Sequence, residues 1–405
     1  MRWNLTGRAL KASVLSLAMA LGVTACSNNY TVSYVYMATS NTLPHGLINS
    51  YQADYQSGHL YVMADSPVDT GGRNTVAIVA APNNRFLYTV NNFDSSVVEF
   101  AIGTDGKLYP QHTYNITGSF PTAAAIDPSG KFLYVTFTYQ LTANGQSLYT
   151  PANPGPGGVT VFPINSDNSL GTPLTVNAGR NPVGVAASRT GNFVYVIEQD
   201  SATQANLLGF SQNTTTGALT PLAGVTINPG NVPSTGFASG LNPAGIIGDA
   251  NGTHLYVADK VANQVAVYNV ANGVPTLAST VATDNGPMGM SFDLFGKYLY
   301  VAAYNGNVVN IFNVGSGGQL SRLSSGGTVQ VGTGPTCVTV TGAPSNQDPH
   351  HAAYLYVSNQ LSNNVTATQL SESDGTIVPM VGSPFGGSSL PACIVAVQAL
   401  PVRER

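Results

Sequence analysis

Residues 121–135, with the sequence PTAAAIDPSGKFLYV, contain three parts of a unit that recurs along this chain. A run of small residues suits a crowded strand, the segment 127–130 places Pro and Gly where a turn needs them, and 132–135 is a strand of β-forming residues. The aromatic-aliphatic-tyrosine part, with His first in one copy, is found at 34–36, 86–88, 132–134, 193–195, 254–256, 298–300 and 354–356. Because the tyrosine recurs once per unit, we predict that it packs between units and hydrogen-bonds the backbone.

Two other parts of the unit recur with the same spacing. An innermost strand, usually starting with Pro, is predicted at 75–77, 121–123, 182–184, 243–245, 287–289, 335–337 and 391–393. A Gly-x-Leu-like turn before an outer strand is found at 58–60, 106–108, 217–219, 318–320 and 375–377, with looser copies at 169–170 and 276–277. Repeats of about 45–60 residues built from short strands and turns are typical of β-propellers. We therefore predict an all-β fold, a seven-bladed β-propeller with four-stranded antiparallel blades.

The phase of the repeat predicts how the ring closes. The chain enters on a second strand at Tyr34 and leaves on a lone first strand that starts at Pro391. The C-terminal strand is therefore predicted to complete the N-terminal blade and to cover an edge that would otherwise be open. We predict a propeller over residues 32–398 and a C-terminal tail over 399–405.

Cys337 and Cys393 occupy equivalent places on innermost strands of the two blades that meet at this closure. Inner strands converge toward the axis, so a Cα separation within the disulfide range of about 4.4–6.8 Å is feasible. We predict a disulfide that locks the closure. Two buried thiols are the alternative.

The first residues have the features of an export signal. Basic residues precede an apolar stretch at 12–21 that is too short to span a bilayer. The stretch leads to Val-Thr-Ala-Cys ending at Cys26, which resembles the lipobox of bacterial lipoproteins, whose cysteine carries the lipid. We predict a lipoprotein signal peptide over 1–25, lipidation at Cys26, a tether over 26–31, and a lipid-anchored protein of the cell envelope, at the outer membrane or facing the periplasm. An ordinary small-residue cleavage site is the alternative.

Composition excludes several classes of function. Charged residues make up 8% of the chain, the net charge is −4, and no Lys/Arg cluster is present, which argues against a nucleic-acid partner. The sequence contains no nucleophile elbow, no H-E-x-x-H motif and no phosphate-binding Gly loop. Asp-Pro-His-His at 348–351 is interpreted as a solvent-facing loop. We expect no metal and no cofactor, and a monomer.

Residues 128–135 resemble the YVTN-type propeller repeat. More broadly, residues from about 32 to 398 resemble the lactonase family of seven-bladed propellers, which includes 6-phosphogluconolactonase-like and muconate-cycloisomerase-like enzymes. The resemblance implies the propeller fold and, for some members, hydrolysis of lactones. Its motifs are specific for the fold and weak for activity, since propellers host many functions.

Two residues of this sequence match the family's site pattern, and others depart from it. In the family, a Gly-x-Gly-Pro-Arg/His stretch precedes an Asn-Glu pair that follows the next strand. Here the residues around Arg180 match that stretch in part, and Glu198 stands where the Glu would be. Val183 replaces the basic residue and Ile197 replaces the Asn, and the inner strand at 121–123 lacks the His of the preceding blade.

The propeller topology predicts a single face for the candidate site. Loops from the second to the third strand and loops between blades lie on one face, called the upper face below, and the other turns lie on the lower face. The two longest insertions, 138–157 and 224–241, belong to the upper face, and 342–352 belongs to the lower face. Much of the chain's scarce charge is predicted on the upper face. The candidate catalytic residues there are His45, Arg180 and Glu198, and the candidate ligand-binding residues are Arg73, Asp259 and Lys260.

An aldonolactone hydrolase needs a group that activates water and a cation for the tetrahedral oxyanion. Glu198 or His45 could be the base and Arg180 the cation, and an ion pair that steadies a blade junction is the alternative. The few charges and the departures from the family pattern favour a lipid-anchored binding module for an unknown small molecule or envelope protein. The alternative is a hydrolase of sugar-derived lactones, a carboxylic-ester hydrolase, and a structural surface-layer protein is a third interpretation.

Overall fold

The computed structural model describes residues 31–142, 144–145, 156–201, 204–228, 234–342 and 353–399. The predicted signal peptide, Cys26, parts of the three long loops, the histidine loop 348–351 and the tail from residue 400 lie outside the described residues. Within the described part, no helix has the length and hydropathy needed to cross a membrane.

The described residues form seven antiparallel sheets that are the blades of the propeller. Blade 1 has, from the axis outward, β32 (Pro391–Gln398), β1 (Thr31–Thr39), β2 (Leu47–Asp54) and β3 (Leu60–Val62), with β4 (Val68–Asp69) also paired to β2. Blade 2 has β5 (Thr75–Ala80), β6 (Phe86–Asn91), β7 (Ser96–Ile102) and β8 (Leu108–Asn115); blade 3 has β9 (Gly118–Ile126), β10 (Phe132–Gln140), β11 (Gly158–Pro163) and β12 (Leu174–Asn177). Blade 4 has β13 (Pro182–Ala187), β14 (Phe193–Ser201), β15 (Gln204–Gln212) and β16 (Leu219–Pro221), with β17 (Phe237–Ala238) paired to β15.

The last three blades repeat this plan. Blade 5 has β18 (Pro243–Gly248), β19 (His254–Asp259), β20 (Gln264–Ala271) and β21 (Val274–Ala282). Blade 6 has β22 (Pro287–Phe292), β23 (Tyr298–Ala303), β24 (Val308–Val314) and β25 (Leu320–Arg322), with β26 (Thr328–Gln330) paired to β24. Blade 7 has β27 (Pro335–Gly342), β28 (Ala353–Asn359), β29 (Asn364–Leu370) and β30 (Ile377–Pro379), with β31 (Phe385–Gly386) paired to β29. The predicted fold class is confirmed.

The C-terminal strand closes the ring, as the phase of the repeat predicted. β32 pairs antiparallel with β1, so that Ala396 lies opposite Val35 and Ile394 lies opposite Met37. Ile394 is buried against blade 7, and Val397 is buried against blade 2. Blade 1 is therefore built from the first strands of the propeller segment and from its last strand.

The recurring tyrosine joins six of the seven blades to the next, which confirms the predicted packing role in those blades. The hydroxyl group donates a hydrogen bond to a backbone carbonyl of the outer turn in the following blade, at 2.6–3.1 Å. The pairs are Tyr36 with Gly106, Tyr88 with Asn168, Tyr195 with Gly273, Tyr256 with Gly318, Tyr300 with Gly375 and Tyr356 with Gly58. Each acceptor residue has a positive φ, which explains why Gly and Asn occupy this position.

The structure differs from the prediction in the outer strands of blades 3 and 5. Leu170 forms an isolated bridge with Ile164, and the outer strand begins later, at Leu174. In blade 5 the turn residue is Gly273, with φ +81°, so the strand begins three residues before Leu277. Both turns share the positive φ, at Asn168 in blade 3 and at Gly273 in blade 5. Leu170 follows two residues after Asn168, whereas the residue at that place in blade 5 is Pro275.

A disulfide crosses the closure between blades 7 and 1. Cys337 in β27 and Cys393 in β32 are bonded, with their Cα atoms 5.0 Å apart and a sequence separation of 56 residues. The bond ties the strand that completes blade 1 to the inner strand of the blade beside it.

Candidate functional site

Every inner strand has a β-bulge near the upper face. In each blade the register shifts just after the residue predicted to start the inner strand, which is Thr75 in blade 2 and Pro in the other blades. Bulges re-aim side chains and are frequent beside functional sites. The bulge in blade 3 turns Thr122 toward blade 4, where its hydroxyl donates to the Pro182 carbonyl at 2.6 Å. The bulges thus shape the upper mouth of the central channel.

A second repeated contact lies just above the bulges. One partner is the side chain three residues after the recurring tyrosine. The other is the residue three positions before the predicted start of the inner strand of the same blade, and this second residue is glycine in five blades. The pairs are Asn91 with Gly72, Phe137 with Gly118, Glu198 with Gly179, Asp259 with Gly240 and Asn359 with Gly332. A Cβ atom on any of these glycines would collide with its partner. Glu198 and Asp259 therefore occupy a position that the fold uses in several blades.

Glu198 is fully buried at this position in blade 4. Its carboxylate accepts hydrogen bonds from the backbone N–H of Arg180 at 2.7 Å and from Nδ2 of Asn206 at 2.8 Å. The turn that it holds contains two positive φ angles, +71° at Gly179 and +43° at Asn181. Glu198 thus fixes the turn that carries Arg180, whose side chain is half-buried at the entry to β13.

Asp259 is also fully buried, in the equivalent position of blade 5. Its carboxylate accepts backbone N–H groups of Leu241 at 2.7 Å, Asn242 at 3.2 Å, Val261 at 3.1 Å and Ala262 at 3.0 Å. These donors belong to the two loops on either side of the strand end. Asp259 was predicted to bind ligand; the structure shows it organising the backbone beneath the surface.

His45 forms a pair with Asp69 on the upper face of blade 1. Its Nδ1 lies 3.0 Å and 3.1 Å from the two carboxylate oxygens of Asp69, and both side chains are about half exposed. In the neutral tautomer that carries its proton on Nδ1, the ring donates to the carboxylate and Nε2 is an acceptor. The pair has the arrangement of an oriented general base.

Arg73 lies in the next loop and is neutralised by Asp94. The Asp94 carboxylate accepts the backbone N–H of Arg73 at 2.6 Å, its Nε–H at 2.9 Å and its Nη2–H at 2.5 Å. These hydrogen bonds hold the pKa of Asp94 below its usual value, and His45 is close enough to lower it further. Because Arg73 is already paired, its charge is largely balanced before any anionic ligand arrives.

Lys260 joins blades 5 and 6 at the mouth. Its Nζ lies 4.9 Å from the centre of the Tyr304 ring, a cation–π contact. The Tyr304 hydroxyl in turn donates to Oε1 of Gln360 in blade 7, at 2.8 Å. The side chains of three successive blades are thus linked around one side of the mouth.

The predicted site residues fall into three groups on the upper face. Arg180 and Glu198 lie together in blade 4, His45 and Arg73 lie near each other between blades 1 and 2, and Lys260 lies between blades 5 and 6. Four partners were not predicted from the sequence, namely Asp69, Asp94, Asn206 and Tyr304. Asn206 could have been found from strand alternation, because it lies directly across the ladder from Glu198.

A cavity of about 1050 Å³ lies at the lower end of the central channel. Aliphatic side chains of the inner strands, such as Val79, Ile247 and Val340, line it together with residues of the lower turns. Two of the acidic residues there are engaged by the backbone: Asp127 accepts N–H groups of its own turn and Asp293 accepts that of Tyr298. A second His–Asp pair lines this cavity, with His254 Nδ1 2.8 Å from Asp249 Oδ2. The residues singled out from the sequence lie at the opposite end, so we place the candidate site at the upper mouth.

Sequence comparison identifies one family. The model of the family described as lactonase, seven-bladed β-propeller, matches residues 25–140 and 208–340, more than half of the chain. No curated protein matches the chain significantly in sequence.

Solved structures with the same architecture cover nearly the whole chain. A Bacteroides fragilis NCTC 9343 protein provisionally assigned as a 6-phosphogluconolactonase is 19% identical with a TM-score of 0.68, over 92% of this chain and 99% of that one. The Pseudomonas aeruginosa periplasmic gluconolactonase is 18% identical with a TM-score of 0.69, over 91% of this chain and 99% of that one. At these identities the likeness establishes the shared fold alone.

Proposed function

Because the chain belongs to the lactonase family of seven-bladed β-propellers, we propose that it is a hydrolase that opens lactone rings at the upper mouth of its channel. Family membership supports this hydrolase more than the binding module that the sequence alone placed first. The provisional 6-phosphogluconolactonase and the gluconolactonase named above make sugar-derived lactones the natural starting substrates.

The proposed reaction is hydrolysis of an internal ester. A water molecule loses a proton to a base and adds to the lactone carbonyl carbon, which places a negative charge on the carbonyl oxygen. The bond from carbon to the ring oxygen then breaks, the ring oxygen takes up a proton, and a hydroxy acid is released. A positioned base contributes about 10²–10⁴-fold to such a step, and electrostatic stabilisation of the oxyanion contributes about 10²–10³-fold.

Within this proposal, Arg180 stabilises the oxyanion and Glu198 positions the turn that carries it. The observation on which the proposal rests is the 2.7 Å hydrogen bond from the Arg180 backbone to the buried Glu198 carboxylate. It fixes the backbone of a cationic residue at the entry to β13, so little reorganisation is needed when the charge develops. Because Glu198 has no exposed surface, it is not assigned as the base, and His45 lies between blades 1 and 2 rather than beside Arg180.

Acid release from the full-length protein tests the proposal. Gluconolactone and 6-phosphogluconolactone are added at constant pH, and the base consumed is compared with spontaneous hydrolysis. We expect Arg180→Ala to lower kcat/KM by about 10²–10³-fold, because it removes the charge that stabilises the oxyanion. Arg189→Ala is the matched control, since Arg189 lies on a lower turn of the same blade and is exposed.

A second pair of variants separates positioning from stability. Glu198→Gln and Asp259→Asn disturb the same structural position in neighbouring blades, and both should lower the unfolding temperature. Only Glu198→Gln should also lower kcat. Wild-type rates equal to spontaneous hydrolysis on every lactone tested, the alkyl lactones below included, or full activity of Arg180→Ala, would contradict the proposed function.

We also propose that Cys26 is lipidated and that the protein is held in the cell envelope. The lipobox-like sequence ending at Cys26 supports this proposal. In the bacterium, labelled palmitate should enter the wild-type protein and not the Cys26→Ser variant, which should leave the membrane fraction. Equal labelling of the two proteins would argue for an ordinary cleavage site.

A further inference from the structure

The upper face exposes large apolar side chains on consecutive blades. Among the described residues, Leu361 of blade 7, Leu390 and Leu43 of blade 1, Phe93 of blade 2 and Phe120 of blade 3 are 41–86% exposed. The Tyr139 ring packs edge-on against Phe120, with the ring centres 5.6 Å apart. We call these six residues the apolar arc. Exposed apolar groups that gather on one face mark a site of binding more often than they serve the fold.

Two members of the apolar arc have a strained backbone. In six blades the residue just before the predicted start of the inner strand has a left-handed φ, between +43° and +77°. Four of these residues are Asn74, Asn181, Gly286 and Gly334, which adopt this conformation readily. The other two are Phe120 and Leu390, each with φ +56°. Bulky residues in this conformation are uncommon, and strain of this kind collects at functional sites.

Burial in the core does not compensate this strain. Phe120 is 41% exposed and Leu390 is 44% exposed, so much of each side chain faces solvent. Asparagine or glycine serves the fold at the same position in other blades. The fold at this position therefore requires neither Phe nor Leu, and the exposed apolar surface of Phe120 and Leu390 is available to a ligand.

Hydrogen bonds connect the arc into one surface around the mouth. The Leu390 N–H donates to Oδ1 of Asn363, in the loop that carries Leu361, at 2.9 Å. The Ser40 N–H, in the loop of Leu43, donates to the Leu390 carbonyl at 2.9 Å. Asn92, next to Phe93, donates through Nδ2 to the Pro121 carbonyl at 2.6 Å. The loops of blades 7, 1, 2 and 3 thus hold their apolar side chains in a fixed order.

Charged side chains of the mouth lie on the other blades, where blade 5 also exposes Leu241 at 44% and Val261 at 57%. Blade 4 brings Arg180, and blades 5 and 6 bring Lys260, which lies against Tyr304. Arg73 is paired with Asp94, which leaves little free positive charge for a phosphate group. A ligand that matches this mouth has an apolar end for the arc on blades 7 to 3 and a polar end for the Arg180 turn of blade 4.

We propose that the substrate is a lactone carrying an alkyl or aryl substituent, with the substituent on the apolar arc and the ring beside the Arg180 turn. The proposal rests on the proposed function and narrows it away from phosphorylated sugar lactones. Each methylene that leaves water for the arc tightens binding, up to about fourfold when the methylene is fully buried.

A series of 4-alkyl γ-lactones, from methyl to octyl, tests the proposal with the full-length protein. We expect kcat/KM to rise about twofold to fourfold per methylene until the arc is covered. The kcat/KM for the octyl lactone should exceed that for 6-phosphogluconolactone. A flat dependence on alkyl length, or a preference for 6-phosphogluconolactone, would overturn the proposal.

Phe120→Asn and Leu390→Asn install the residue that the fold uses at the same position in blades 2 and 4. Both variants should flatten the dependence on alkyl length while their unfolding temperature stays equal or rises, since the strain is relieved. A purely structural role would instead lower the unfolding temperature. Phe295→Asn is the matched control, because Phe295 is 43% exposed on the lower face; this variant should keep the wild-type dependence.

A fluorescent apolar probe separates failure of this proposal from failure of the proposed function. N-phenyl-1-naphthylamine should bind the wild-type protein and the Phe295→Asn variant, and bind both arc variants at least about threefold more weakly. That result without any lactone turnover would refute the hydrolase and uphold the apolar site. Turnover of lactones together with equal probe binding by all variants would uphold the hydrolase and refute the arc.

Discussion

Between pH 10 and pH 11 the propeller should lose its stability and unfold cooperatively. Burial raises the pKa of ten tyrosines far above the usual value of 10.0, and each of these side chains is 2% exposed or less. They are Tyr36, Tyr51, Tyr88, Tyr134, Tyr195, Tyr256, Tyr268, Tyr300, Tyr354 and Tyr356. Most of them also donate the hydrogen bonds that join blade to blade.

The direction in which the free energy of unfolding changes with pH follows from the number of protons that the folded and the unfolded chain bind. Below pH 10 the tyrosines are protonated in both the folded and the unfolded chain, so their stabilising contribution is complete. Above pH 10 the unfolded chain loses protons that the folded chain keeps, and the free energy of unfolding falls. Each buried tyrosine removes about 1.4 kcal/mol per pH unit. Ten of them remove on the order of 10 kcal/mol by pH 11, which is comparable to the whole stability of a typical domain.

Circular dichroism and tyrosinate absorbance, recorded together across this range, check the expectation. Loss of β-sheet signal and ionisation of the buried tyrosines should occur in one transition. Tyr36→Phe should be less stable at pH 7 but should lose stability less steeply above pH 10, because one ionising group is gone. Tyr61→Phe, at a 47% exposed position, should behave like wild type. Complete ionisation while the sheet signal persists would contradict the prediction.

Reduction of the Cys337–Cys393 disulfide should lower the free energy of unfolding by about 2–4 kcal/mol. The bond closes a loop of 56 residues in the unfolded chain and so limits the conformations available to it. For a chain of this size the change corresponds to a fall of roughly 3–5 °C in unfolding temperature. The double variant Cys337→Ala, Cys393→Ala should show the same fall without any reductant.

Hydrogen exchange locates the effect. In the reduced protein, the amides of β32 and β1 should exchange faster than those of β22 and β23, because the bond lies at the junction of blades 7 and 1. Thiol alkylation after reduction, followed by mass spectrometry, confirms that the bond was opened. An unchanged unfolding temperature in a protein with both thiols alkylated would show that β-sheet pairing alone secures the closure.

Much of the fold follows from residues that recur for a physical reason. The tyrosine hydroxyl needs a backbone acceptor in the next blade. The tyrosine, as at Tyr36, and the turn that carries the acceptor, as at Gly106, therefore recur together and could be recognised in the sequence. The inner strands could be predicted because most of them start with a recurring proline, and the closing strand at Pro391 because it is the last of these starts. The short strands β4, β17, β26 and β31 could not be predicted, since two or three residues carry no periodicity and pair only because a loop is already in place.

The candidate site was predicted less completely. The sequence placed Arg180, His45 and Lys260 on one face, because topology alone assigns loops to faces. It could not predict that Glu198 and Asp259 would be buried beneath that face. Their burial depends on glycines three residues before the inner strand of the same blade, and this contact between separate segments becomes visible only in three dimensions.

The position three residues after the recurring tyrosine has a consequence for how such a chain diversifies. It is Asn91 in one blade, Phe137 in another, Glu198 and Asp259 in the next two, and Ala303 in blade 6. The tyrosine, and not this neighbour, makes the hydrogen bond to the following blade, so the side chain at this position can differ between blades while that junction is kept. After duplication of an ancestral blade, single substitutions at this position give each copy a different loop above the mouth. One scaffold can thereby shift its chemistry from blade to blade over evolutionary time.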